Sequence, residues 1–122
     1  MRLFRGLAVT VVAIAAVVAS VGVNAHAILV DSSPKANGSV PAGPTTLTLK
    51  YNSKIDQGRS KLVLVAPDHS ETPLVIDSND AKPNELDSEA TLKPGAYVIH
   101  WQALALDGHI TRGDLAFTVT SP

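Results

Sequence analysis

Beyond an apolar opening run, hydrophobic residues in this chain recur at every second position, the spacing of half-buried β-strands rather than of helices. Thr46-Leu47-Thr48-Leu49-Lys50-Tyr51 puts Leu47, Leu49 and Tyr51 on one face. Lys61-Leu62-Val63-Leu64-Val65 follows a Gly-Arg-Ser turn and stops at Pro67-Asp68. Pro73-Leu74-Val75-Ile76 is short and opened by proline, as edge strands are. Glu89-Ala90-Thr91-Leu92 runs into the turn signal Lys93-Pro94-Gly95. The longest candidate, Ala96 to Leu106, sets Tyr97, Ile99, Trp101, Ala103 and Ala105 on one face. Asp114 to Thr120 buries Leu115, Phe117 and Val119, and Ala27 to Val30 adds a first strand. Segments 35–44 and 77–88 read as polar loops, and no repeat divides 26–122. About seven short strands separated by Gly, Pro, Asn and Asp turns predict an all-β domain, an antiparallel Greek-key sandwich or barrel.

The opening run has a different origin. Met1-Arg2-Leu3-Phe4-Arg5 carries two positive charges, Gly6 to Val23 is apolar, and Val23-Asn24-Ala25 ends it with small residues at alternate positions. This is the pattern of a secretory signal cut after Ala25, which predicts an exported chain, periplasmic or extracellular and wall-associated, whose mature form does not span a membrane. The run is long enough for an uncleaved anchor. Ala25-His26-Ala27 offers a competing cut that would start the chain at Ile28. Removing residues 1–25 from the 122 leaves 97, with Arg2 and Arg5 gone; eight Lys and Arg then face 11 Asp and Glu, a net charge of −3. A mildly acidic domain gives no footprint for nucleic acid or an anionic membrane. With no cysteine, neither a disulfide nor a thiolate metal site is available.

Four histidines carry the remaining chemistry. His69, in Pro67-Asp68-His69-Ser70, reads as a solvated turn residue, and His100, beside Trp101 in mid-strand, as a structural histidine of the sheet. Asp107-Gly108-His109 closes the longest strand. Its carboxylate and imidazole, two residues apart, project alike if extended and make a plausible ligand pair, although a tight Asp-Gly turn explains the same residues without a metal. His26 would become the first residue after cleavage at Ala25 and would then offer its α-amine and ring Nδ1 to one ion. An α-amine has a pKa near 8, so a metal displaces its proton near neutral pH. Two nitrogens from His26, one from His109 and an Asp107 oxygen form a tetragonal N,O set suited to Cu(II) or Ni(II), and Cu(II) is preferred by the Irving–Williams order. Zn(II) favours a tetrahedron. Cu(I) wants soft sulfur, and the sole methionine, Met1, leaves with the signal.

The mature chain resembles the CopC family of exported copper-binding proteins. The resemblance rests on His26-Ala27 after the signal, Ser33-Pro34, Pro44, and Leu92-Lys93-Pro94-Gly95-Ala96-Tyr97. Most telling is Trp101 followed by Asp107-Gly108-His109, Gly113 and Phe117-Thr118-Val119. It implies an immunoglobulin-like seven-stranded Greek-key sandwich or barrel. It also implies one Cu(II) per chain held by His26, Asp107 and His109, and a place beside a copper-transporting membrane protein; we expect a monomer. Three departures stand out. Ala105 replaces a serine that many members carry two residues before the aspartate. Asn52-Ser53-Lys54 lacks an acidic residue found in some members, and the methionine-rich segment that some use for Cu(I) is absent.

Two other functions fit parts of the pattern. A terminal histidine with a second histidine resembles the histidine brace of lytic polysaccharide monooxygenases. However, an equatorial carboxylate would occupy a position that oxygen chemistry needs open, and only Tyr51, Tyr97, Trp101 and Phe117 remain as aromatics after residue 25. A metal-free immunoglobulin-like interaction module, with Asp107-Gly108-His109 as a plain turn, is the other. No nucleophile elbow or comparable catalytic context occurs, so a non-enzymatic binder is expected.

Overall fold

In the computed structural model the described residues are 26–122; the expected signal, residues 1–25, lies outside them. The described residues form eight strands: β1 (Leu29–Ser33), β2 (Ser39–Pro41), β3 (Gly43–Tyr51), β4 (Lys61–Val65), β5 (Glu71–Pro73), β6 (Glu85–Leu92), β7 (Gly95–Leu104) and β8 (Ile110–Thr120). They build a three-stranded sheet ordered β1-β3-β6 and a five-stranded sheet ordered β2-β8-β7-β4-β5. The chain crosses between the sheets after β1, β2, β3, β5 and β6, giving the all-β Greek-key sandwich that the alternation predicts. Among the described residues no helix is long and apolar enough to cross a membrane.

The alternating positions face inward as the period of two requires. Leu47, Leu49, Leu86, Ile99 and Ala103 are wholly buried, with Leu62, Leu115, Phe117 and Val119 beside them. Pairing is antiparallel throughout except at β2, which lies parallel to β8 through Ser39↔Thr118 and Pro41↔Thr120. This short edge strand, inside a segment expected as loop, brings the count to eight; Val40 packs on the core and holds it there. The other expected loop also contributes, because Glu85 to Ser88 opens β6. Leu86 is the only apolar residue of those four, and buried Ser88 donates its hydroxyl to the Val75 carbonyl at 2.6 Å.

The segment 73–76 differs from the expected edge strand. β5 ends at Pro73, and the Leu74 N–H still bonds the Leu62 carbonyl in the five-stranded sheet. By Asp77 the backbone bonds Asp87 in the other sheet. Leu74 and Ile76 stay packed on the core while Val75 is exposed. The in-out alternation is therefore real, but the residues bridge the two sheets instead of extending one.

At one end of the core Trp101 lies across Gly113, its partner in the β7–β8 ladder, and meets Tyr51 edge-to-face at 5.3 Å. A Cβ on Gly113 would stand 2.4 Å from Trp101 Cζ2, so glycine is required for the indole to lie flat there. Gly113→Ala forces a buried ring to move, and unfolding by denaturant is expected to show a loss of about 1–3 kcal/mol, as for other overpacked cores.

Candidate metal centre

The β7–β8 ladder closes at Leu104↔Ile110. Beyond it the chain reverses in a tight loop, with the Gly108 N–H bonded to the Ala105 carbonyl and the Ala105 N–H to the His109 carbonyl. Gly108 takes φ +94, where a side chain is strained. The glycine between Asp107 and His109 thus folds the loop back so that both side chains emerge on the same exposed end. The tight-turn and ligand-pair explanations of this motif are compatible, since the turn is what gathers the pair.

Asp107 grips His109 twice. Its Oδ1 accepts the His109 backbone N–H at 3.1 Å, and its Oδ2 lies 2.9 Å from His109 Nδ1. The bond to the His109 ring, then the backbone bond, holds the Asp107 carboxyl below the usual carboxylate range. The carboxylate is therefore ionised at neutral pH and only accepts, so Nδ1 carries the hydrogen and Nε2 keeps the lone pair. A histidine oriented in this way through one nitrogen presents the other to a metal.

His26 arrives from the other end of the chain. Its ring meets the His109 ring edge-to-face, centroids 4.8 Å apart. The residues after it are fastened down. Ala27 is buried in the core, and its carbonyl accepts the Thr111 hydroxyl at 2.6 Å. The Ile28 N–H donates to Asn52 Oδ1 at 2.8 Å, and the Asn52 N–H returns a bond to the Ile28 carbonyl at 3.0 Å. In the sequence Thr111 has no marked role and Asn52 stands out only as part of a stretch without an acidic residue, because these contacts join residues 84 and 24 positions apart.

The three expected ligands thus share one end of the sandwich, His26 against His109 and Asp107 bonded to His109. Among the described residues no three His, Asp or Glu side chains stand together as a group that could hold a metal ion. The donor types suit a cation nonetheless: the Asp107 carboxylate, once turned away from His109 Nδ1, and the amine of a terminal His26 could join His109 Nε2 on one ion. The other histidines lie apart. His69 occupies its turn at φ +70, and His100 pairs across strands with Asp114 at 2.6 Å on the outer sheet face.

Comparison with known proteins bears on the family and the fold. Residues 29–120 match the family model of the CopC domain. The chain belongs to the CopC family. It is 33% identical to Copper resistance protein C of Xanthomonas campestris pv. juglandis over 95% of this chain and 97% of that one. Among solved structures, CopC from Methylosinus trichosporium OB3b aligns with a TM-score of 0.70 at 30% identity, covering 79% of this chain and 95% of that chain. PcoC, a methionine-rich copper resistance protein from Escherichia coli, aligns at 0.64 and 28% identity, covering 79% of this chain and all of its own.

The tautomer assignment has a direct check. At about pH 8, long-range proton–nitrogen NMR is expected to show His109 with its hydrogen on Nδ1, and Asp107→Asn is expected to release the ring into a mixture of tautomers.

Proposed function

We propose that the mature protein is an exported, non-enzymatic carrier or buffer that binds one Cu(II) ion in copper homeostasis and resistance, with His26, Asp107 and His109 as ligands. The observation that carries this reading is the meeting of the His26 and His109 rings from opposite ends of the chain, in a family that includes copper resistance proteins. Signal removal after Ala25 converts the His26 peptide nitrogen to an amine, and amine and ring then close a chelate on one ion. With His109 Nε2 and an Asp107 oxygen, the set favours tetragonal Cu(II). Asp107 serves twice, by orienting His109 before binding and by supplying negative charge to the cation. The E. coli relative is described as methionine-rich. This chain has no sulfur after Met1, which supports Cu(II) rather than Cu(I) as its cargo.

The site lies at an exposed end of the domain, where an ion can be taken up and handed to a partner such as a copper-transporting membrane protein. The periplasm or the cell exterior is the compartment this reading requires, since the amine exists only after export. All four aromatic residues of 26–122 are buried, so the polysaccharide-oxidising alternative gains no support from a stacking surface.

Titration of Cu(II) into protein beginning at His26 is expected to give tight one-to-one binding. One extra residue before His26 removes the amine donor and is expected to weaken binding by roughly 100-fold; equal affinity of the two proteins would refute the chelate. Protons compete for the amine and both imidazoles, so affinity is expected to fall steadily below about pH 6–7. An affinity that stays flat from about pH 8 to 5 is incompatible with these donors.

A further inference from the structure

A chain terminus is ordinarily the least ordered part of a domain, yet this donor set needs the first mature residue held against a loop from the far end of the sequence. Four contacts provide that hold. The Ala27 side chain is buried in the core, the Ala27 carbonyl is fixed by Thr111, and both polar groups of the Ile28 backbone are fixed by Asn52. Consecutive Cα atoms stand about 3.8 Å apart, so His26 is left only the torsions about one anchored neighbour. Thr111 lies two residues beyond His109, on the strand that His109 leads into. Its ladder partner is the small, fully buried Ala103. The hydroxyl thus fastens the N-terminal segment to the element that fixes the second histidine.

We infer that Thr111, with Asn52, is a positioning residue for the copper site: it sets where His26 stands relative to His109 and so meets the ordering cost of the terminal chelate before the ion arrives. Neither residue needs to touch the metal, because the Thr111 hydroxyl is engaged by the Ala27 carbonyl and the Asn52 carbonyl oxygen by the Ile28 N–H. Both act through His26. The inference rests on His26 being a ligand, as proposed above.

The test compares wild type, Thr111→Val, Thr111→Ser and His26→Ala, each beginning at residue 26. Cu(II) affinity is measured by competition titration, the Cu(II) environment by electron paramagnetic resonance, and order at the terminus by amide exchange at Ile28. Valine keeps the shape of threonine and removes the hydroxyl; serine restores it. Thr111→Val is expected to bind Cu(II) about tenfold more weakly, the size of one lost hydrogen bond. Its resonance spectrum should broaden and its Ile28 exchange should quicken, while Thr111→Ser returns all three readouts toward wild type. Asn52→Ala, a second variant, is expected to quicken exchange at Ile28 and weaken binding in the same direction. Wild-type affinity and spectrum in Thr111→Val, or failure of serine to rescue a loss, would overturn the inference. If wild type binds Cu(II) no more tightly than His26→Ala, the ligand assignment itself falls and the inference falls with it.

Discussion

The ten-pair ladder between β7 and β8 is the constraint on which the rest of the molecule depends. It fixes which face of β7 turns inward, and Tyr97, Ile99, Trp101 and Ala103 are buried as a consequence. It seats Trp101 on Gly113 and so brings Tyr51 of the opposite sheet against the indole. It also fixes where the two strands part. A tight loop begins there, Gly108 turns it, and Asp107 and His109 are left at the exposed end of the sandwich. A slip of one residue in that register would turn Thr111 away from Ala27 and carry His109 to the other side of the loop.

The candidate metal centre is therefore divided between a rigid part and an added part. The rigid part is the loop, where Asp107 sets the tautomer and orientation of His109 through two hydrogen bonds. The added part is the N-terminal segment, which enters the core through Ala27 and is tied by side chains from β8 and from Asn52, the residue after β3. The fold itself brings the two histidine rings together. In the proposed function, export then changes the chemistry of one nitrogen and completes the donor set. In that proposed function such a division lets copper be held and also released, since no closed cage has to open.

Much of this was legible in the sequence because its signals are local. Alternation in Leu47-Thr48-Leu49 and in Tyr97 to Ala105 marked strands and inward faces, and Asp107-Gly108-His109 marked the turn. Three features were not legible. Ser39–Pro41 is a strand only because β8 offers an edge. Leu74 to Ile76 alternates like a strand but passes between sheets, since its hydrogen-bond partners lie in both. Thr111 and Asn52 bear on the site through contacts across 84 and 24 positions, where a single sequence carries no mark of pairing. The resemblance pointed to His26 as a ligand, and the convergence of its ring with His109 gives that expectation a physical basis.

The central claim is that the terminal amine of His26 joins two imidazoles on one copper ion. Pulsed electron paramagnetic resonance on nitrogen-15-labelled protein beginning at His26 and loaded with one equivalent of Cu(II) tests this most directly, because it separates imidazole nitrogens from an amine nitrogen bound to the metal. The account predicts two coordinated imidazoles and one coordinated amine. Coupling from imidazoles alone, with the amine nitrogen absent from the coordination sphere, would contradict it.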